Sequence, residues 1–312
     1  MNNKNTILIT GGGGLVGSNL AYKLQDKYKV VCLDRHGHRA QFKNSFNNNV
    51  KFIKGDITNE KLLDKIIKNC NFIIHLAGGG GNPACVKDPV WATQTHIIGT
   101  DLLLKKASKY KIKKFIFASS QSVYTTFHKR KFPFLENIEL KPDDFYGMLK
   151  KTAEDLIRSS GINYSILRFS NIYGYSDLCP LQDGGAVNNF VKFTFIKKGL
   201  QIYGTGKQGI DYVNLRDATK AIELALKDRR NKTIYNVGSG KLVSIEEIAK
   251  TVKRIFKEKL DKEVEIKKTP VTMGKIWPDR LMSIKKIKKD LKWKPEISLK
   301  EGLEEMIINY KK

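Results

Sequence analysis

Tyr146 and Lys150 lie four residues apart, downstream of Ser119-Ser120. Residues at that spacing share one face of a helix. An ammonium beside a phenol favours the phenolate, so the pair predicts a tyrosine whose pKa Lys150 lowers toward that of a usable general base. Ser120 follows an apolar run and carries a hydroxyl suited to holding a substrate oxygen. Together the three residues point to proton transfer at an alcohol or ketone, with hydride carried by a nicotinamide.

The N-terminus offers a place for that carrier. Thr10-Gly11-Gly12-Gly13-Gly14-Leu15-Val16-Gly17 joins an apolar run to a helical pattern. Glycines in that context permit a tight turn and bring the backbone close to a pyrophosphate at a helix N-terminus. The spacing Gly11-x-x-Gly14-x-x-Gly17 differs by one residue from the simplest dinucleotide fingerprint. Asp34 ends the second apolar run about twenty residues on, where a carboxylate holds an adenosine ribose and repels a 2′-phosphate. This favours NAD over NADP, although Arg35 beside it could face such a phosphate instead. Asp56, after the third run, could accept from the adenine amine or simply close a turn.

The elements that must position these groups alternate. Apolar runs at 7–10, 30–34, 50–54, 72–77, 115–119 and 164–169 predict buried strands, and patterns at 16–26, 62–69, 92–110 and 146–159 predict helices. Strand and helix in turn, with strands apolar throughout, indicate an α/β fold with a Rossmann-type doubly wound parallel sheet. Residues 1–168 are expected to form this NAD-binding domain. Residues 169–312 are expected to form mainly a smaller mixed α/β substrate-binding lobe, with some segments returning to the sheet. There the pattern predicts a loop over 171–185 and a helix over 186–198. It also predicts a helix capped by Ser244 and Glu247, an edge strand at 263–268 and a final helix from near Ser298. The cleft between the halves is the expected active site.

Composition narrows the classes. The formal charge of +26 invites a nucleic-acid reading. However, the lysines are spread along the chain without an arginine cluster or a known binding module, so no nucleic-acid partner is expected. The charge suits an anionic substrate such as a nucleotide diphosphate. No uncharged apolar run approaches the length of a membrane span, and the start does not resemble a signal peptide. Cys32, Cys70, Cys85 and Cys179 lack metal-ligand spacing, as do His36 and His38. The expectation is a cytoplasmic protein with free thiols and no metal.

The order of the motifs resembles the extended short-chain dehydrogenase/reductase family, in particular its NAD-dependent nucleotide-sugar epimerases and dehydratases, over nearly the full length. The resemblance rests on the glycine loop ending at Gly17, Gly55-Asp56-Ile57-Thr58, His75-Leu76-Ala77 and Gly99-Thr100. It continues through Ser119-Ser120-Gln121-Ser122-Val123-Tyr124, the Tyr146/Lys150 pair and Leu167-Arg168-Phe169-Ser170-Asn171-Ile172-Tyr173-Gly174. Gly204-Thr205-Gly206, Tyr235-Asn236-Val237-Gly238 and Leu291-Lys292-Trp293-Lys294-Pro295 complete it. It implies Ser120, Tyr146 and Lys150 as the catalytic group. It implies a cofactor site lined by Gly11, Gly14, Leu15, Val16, Gly17, Asp34, Arg35, Asp56, Ile57, Leu76, Ala77, Gly78 and Lys150. The sugar nucleotide would meet Gly80, Ser120, Gln121, Tyr146, Asn171, Asn189, Gln201, Tyr203 and Arg280. Arg280 would clasp the diphosphate with its planar fork. A homodimer paired through the helices around 92–110 and 146–159 is also implied.

Departures from the family refine the chemistry. Dehydratases place Asp and Glu directly after the catalytic hydroxyl residue, whereas this chain has Gln121 and Ser122. Neither is an acid or base of that strength, which argues against 4,6-dehydration, and Ser122 also fails the decarboxylase pattern. Ile210 replaces an arginine that binds the substrate diphosphate, a loss of about 1.5–3 kcal/mol unless Arg280 or a lysine compensates. Gly78-Gly79-Gly80-Gly81 stands where the family carries larger residues, and His96 where it favours asparagine. The expected activity is a nucleotide-sugar C4 epimerase acting through a 4-keto intermediate. The alternative is a nucleotide-linked 4-ketosugar reductase using NAD(P)H.

Overall fold

The computed structural model describes residues 4–36, 45–124, 132–178, 186–197, 199–270 and 279–310. His38, Cys179, Gly184 and Gly185 lie outside them. The first half runs β1 (Thr6–Thr10), α1 (Leu15–Leu24), β2 (Lys29–Asp34), β3 (Val50–Lys54), α2 (Glu60–Ile67) and β4 (Phe72–His75). It continues with α3 (Gly81–Lys87), α4 (Pro89–Thr93), α5 (Gly99–Lys109), β5 (Lys114–Ser120), α6 (Phe145–Ser159) and β6 (Tyr164–Phe169). The second half comprises β7 (Asn171–Tyr173), α7 (Ala186–Lys197), β8 (Gly199–Tyr203), β9 (Gly209–Ile210), β10 (Tyr212–Asn214) and α8 (Leu215–Lys227). After these come β11 (Thr233–Val237), β12 (Val243–Ser244), α9 (Ile245–Leu260), β13 (Glu265–Thr269), α10 (Lys285–Leu291) and α11 (Leu299–Tyr310).

Seven strands form one parallel sheet in the order β3-β2-β1-β4-β5-β6-β11. The order reverses between β1 and β4, and a crevice opens at the carboxyl ends of such strands. Alternation along β1 sets the two layers. Ile7 and Ile9 pack with Leu20 and Leu24 of α1 and Ala221 and Ile222 of α8. Leu8 packs on the other face with Leu63 of α2, Leu103 of α5 and Ile157 of α6. A separate core of Val191, Leu200, Ile248, Val252, Phe256, Leu303 and Met306 holds the smaller lobe.

Several expectations change. The helix expected over 92–110 is divided into α4, a π turn over Gln94–Ile98, and α5. The Thr100 hydroxyl donates to the His96 carbonyl at 2.6 Å, a side-chain bond that competes with the helical ladder and bends it. The expected loop after Phe169 contains β7, whose pairing with β10 draws the cleft wall together. Residues 81–87 form α3, whose start at Gly80 (φ 89°) lacks a side-chain cap that sequence alone could signal. The cap at Ser244 is as expected, with Glu247 N–H donating to Ser244 Oγ, and the final helix starts directly after Ser298, where Ser298 and Glu301 also bond reciprocally.

One buried ion pair crosses the centre. Arg168 of β6 donates to Glu154 of α6 through Nε (3.0 Å) and Nη2 (2.7 Å). The Ser119 hydroxyl donates to the same carboxylate at 2.5 Å, and Arg168 Nη1 donates to Tyr124 Oη and the Glu136 carbonyl. Removing one partner strands the other charge away from water, at a cost of about 3–5 kcal/mol. Glu154→Ala is therefore expected to lower the unfolding free energy by about that amount in denaturant melts; a loss below about 1 kcal/mol would show that this pair is no brace.

Candidate active site

The catalytic candidates converge at the carboxyl end of β5. Ser120 is its last residue and caps the 3₁₀ turn Gln121–Val123, its Oγ accepting from Ser122 N–H at 3.1 Å. The Tyr146 phenol, on the first turn of α6, lies near enough to Ser120 for that hydroxyl to pull its pKa down. Lys150 lies one turn on, donating to the Ala118 carbonyl at 2.8 Å, with Nζ 4.8 Å from the Phe117 ring centroid and 5.7 Å from that of Tyr146. The electrostatics differ from the expectation. Burial holds the Tyr146 phenol above its ordinary pKa against the lowering effect of Ser120. Burial also brings Lys150 down to about 8, which leaves it largely charged at neutral pH. Desolvation thus outweighs the Ser120 hydroxyl, and Cys85 and Asp144 push the phenol the same way as burial does.

Gly147 makes this closeness possible. A Cβ there would run into the Ser122 carbonyl oxygen, so α6 can approach the turn only with glycine at this position. Asp144 caps α6 through Gly147 N–H at 2.6 Å, and Asn82 Oδ1 accepts from Tyr146 N–H at 3.3 Å, tying α3 to the helix start. The motif reading overlooked Asp144, Gly147 and Asn82. Asp144 immediately before a helical pattern was the available signal.

Across the cleft, Arg280 is buried beside the same turn. Its Nη1 donates to Ser122 Oγ at 3.2 Å, and Nη2 lies 3.7 Å from Asp143 Oδ1 and 3.9 Å from Asp144 Oδ2. Burial lowers its pKa, while the two aspartates raise it. Its backbone bridges Ile210, so the guanidinium enters beside the position where the family's arginine is missing. Gln121 is buried, its Nε2 donating to Asn171 Oδ1 at 3.0 Å, and its Oε1 has no hydrogen-bond partner among the described residues. Gln201 and Tyr203 share an exposed face of β8, where Tyr203 donates to Gln201 and Gln201 to Thr269. Asn189 is half-buried on α7. No hydrogen bond joins these three to the catalytic group among the described residues. Neighbouring Asn188 instead clamps Gly174 through both its N–H and its carbonyl.

The dinucleotide candidates gather at the switch between β1 and β4. A Cβ on Gly17 would strike the Gly11 carbonyl oxygen, so α1 packs onto the turn only through glycine. Gly14 stands at the N-cap of α1 without a side-chain cap, leaving the Leu15 and Val16 amides for an anion. Asp34 accepts from Gly13 N–H at 3.0 Å and from His36 N–H at 2.9 Å. Asp56 Oδ1 accepts from both the amide and the hydroxyl of Thr58, and so closes its own turn. Ile57 is buried, and Leu76 and Ala77 hydrogen-bond Thr10. Below them, His75 Nδ1 meets Thr10 Oγ1 at 2.7 Å and Nε2 meets Thr100 Oγ1 at 3.0 Å. The Thr100 hydroxyl is already committed to the His96 carbonyl; His75 therefore donates from Nε2. Burial pushes its pKa down to about 3, which keeps it neutral.

Gly78 (φ 96°) leads away from β4 with its missing side chain replaced by the His96 ring, which a Cβ would strike. The ring lies edge-on to Tyr146, with centroids 5.7 Å apart. Gly80 forms the start of α3, and Gly79 has open space around its Cβ position. Among the described residues, no group of three or more His, Cys, Asp or Glu could hold a metal ion, and no helix is long and apolar enough to cross a membrane.

Gly147→Ala separates two opposed effects. Helix propensity alone favours alanine by about 1 kcal/mol, but the clash with the Ser122 carbonyl pushes α6 from the turn. The expected result is a lower melting temperature and at least about tenfold lower turnover, the scale of a misplaced catalytic group. A more stable, fully active variant would show that the contact does not position Tyr146.

The profile of the NAD dependent epimerase/dehydratase family matches residues 7–238. A Methanocaldococcus jannaschii protein provisionally named as a UDP-glucose 4-epimerase is 33% identical, with 98% of each chain covered. The structure of a Thermotoga maritima UDP-glucose 4-epimerase with UDP-glucose superposes with a TM-score of 0.86 at 28% identity over 98% of each chain. A Methanobrevibacter ruminantium UDP-N-acetylglucosamine 4-epimerase, in complex with UDP-N-acetylmuramic acid, gives 0.87 at 26% identity over 99% of each chain. This chain belongs to the NAD dependent epimerase/dehydratase family and is an enzyme of its nucleotide-sugar type.

Proposed function

We propose that the enzyme interconverts C4 epimers of a nucleoside diphosphate sugar through a 4-keto intermediate, with NAD as its resident cofactor. One observation carries this reading. The Ser120–Tyr146 pair has Lys150 behind it, and the next two positions of the turn hold an amide and a hydroxyl rather than carboxyls. Elimination of a C6 hydroxyl needs an acid and a base beyond the tyrosine, and neither Gln121 nor Ser122 supplies one. What remains is redox chemistry at one carbon.

The residues present fit the cofactor. The Gly11–Gly17 turn, with its uncapped helix start, would take the pyrophosphate and Asp34 the adenosine ribose. Lys150 would take the nicotinamide ribose, with Ile57, Leu76, Ala77 and Gly78 along the dinucleotide. Once bound, the cofactor supplies a reversible hydride acceptor. Ser120 holds the sugar O4, and Tyr146 acts as the phenolate, a form that burial opposes and a neighbouring ammonium favours; it removes the O4 proton during oxidation and returns it after the keto sugar has turned. Arg280, Asn171 and Asn189 would face the sugar diphosphate, and Gln201 and Tyr203 would border the nucleotide base. Val90, Ile98 and Met148, at 66%, 49% and 49% exposure, form an apolar surface on the α4–α6 side that suits pairing of two copies.

Purified enzyme incubated with a panel of nucleotide sugars, without added cofactor, is expected to equilibrate the C4 configuration of one of them. Turnover of 4-keto sugars alone, with stoichiometric nicotinamide oxidation, would replace this reading with the ketoreductase. Tyr146→Phe is expected to reduce turnover by about 10²–10⁴-fold, the usual worth of a positioned acid–base group. Melting temperature and NAD binding should be retained. Unchanged turnover would remove Tyr146 from the reaction.

A further inference from the structure

We propose that Trp91 sets the dinucleotide preference of the site by holding Arg35 against its indole ring. The inference rests on the cofactor reading above and concerns how that site rejects a 2′-phosphate. Asp34 and Arg35 end β2 side by side, and they carry opposite instructions. A carboxylate there accepts from the ribose 2′-hydroxyl, and an arginine there welcomes a 2′-phosphate.

The structure separates the two residues. Asp34 is fixed inward: Oδ2 accepts from Gly13 N–H of the glycine turn, and Oδ1 from His36 N–H. The carboxylate thus engages two backbone donors on the ribose side of the turn, donors that a phosphate would otherwise recruit. Arg35 instead lies over another element, with its guanidinium carbon 5.1 Å from the centroid of the Trp91 ring. A planar guanidinium over an indole face is the most favourable form of this contact.

Trp91 is itself held in place. It lies on the short helix α4, which begins with Pro89 and is capped by Asp88, whose Oδ1 accepts from Trp91 N–H at 3.0 Å. Its ring packs against the cluster of Cys85, Ala92 and Leu149, at the foot of the catalytic helix. The ring therefore forms a rigid seat for a flexible cation from another loop. A contact of this kind at a partly exposed site shifts an equilibrium by about two- to fivefold.

The test compares dissociation constants of NAD⁺ and NADP⁺, measured by titration calorimetry on full-length protein freed of dinucleotide. Trp91→Ala is expected to shift the NADP⁺:NAD⁺ affinity ratio toward NADP⁺ by about fivefold, and Trp91→Phe by less than about twofold. Adding Arg35→Gln to Trp91→Ala should restore the wild-type ratio. An unchanged ratio in Trp91→Ala, or a shift that survives loss of Arg35, overturns the proposal. Should Trp91→Ala fail to fold, Arg35→Gln alone decides. The expected ratio is then that of the wild type, and a loss of NADP⁺ affinity of about tenfold would place Arg35 on the phosphate and overturn it. A wild-type protein that binds neither dinucleotide would overturn the cofactor reading itself.

Discussion

Arg168 and Glu154 meet where neither has access to water, and the geometry of the catalytic group follows from that meeting. Tyr146, Lys150 and Glu154 succeed one another along one face of α6, one turn apart. Each meets β5: Glu154 takes the Ser119 hydroxyl, Lys150 reaches the Ala118 carbonyl, and Tyr146 comes up beside Ser120. Side chains alternate along a strand, so Ser119 points into the buried pair while Ser120 is left for the cleft. The guanidinium fixes the depth of the helix, and the two contacts above it then bring the phenol to the serine. Desolvation makes such a pair expensive to form and costly to break. It yields a unique register between helix and strand, which proton transfer requires.

A second cation does comparable work from the other side. Arg280 arrives on a segment bridged to Ile210 and touches both the Ser122 turn and the aspartates at the start of α6. The smaller lobe therefore meets the catalytic turn through Arg280 as well as through Asn171, which accepts from Gln121. An anion drawn to that guanidinium would compete with Asp143 and Asp144, and Asp144 also caps the helix that bears Tyr146. Arg280 and the start of α6 thus share Asp144. The family's arginine is absent at 210, and the cation enters instead from the neighbouring segment.

Much of this was legible in the sequence. The glycine turn, Asp34 and the Ser120–Tyr146–Lys150 set depend on local spacing, and the strands of the sheet are continuous apolar runs with no competing period. What escaped was non-local or unsignalled. The π turn at Gln94–Ile98 arises beside Thr100 of α5, which bonds both the His96 carbonyl and His75 of β4, contacts that no helical pattern records. The strand at Asn171–Tyr173 exists through its partner at Tyr212–Asn214. The direction of the Tyr146 pKa was misjudged because spacing reveals which charge is near but not how much water is lost. Gly147 stood inside the motif, yet the carbonyl it admits comes from a turn folded over it.

Gly78 and His96 deserve to be seen as one object. The imidazole occupies the volume that any side chain at 78 would claim, and its edge rests on the tyrosine ring. The width of the chamber next to the reacting group is therefore governed by a swap between two loops: bulk removed from the one after β4 is restored by the one before α5. An engineer who enlarges position 78 must first remove the imidazole, and one who removes the imidazole opens a hollow beside the phenol. A change at either position therefore alters the packing against the Tyr146 ring.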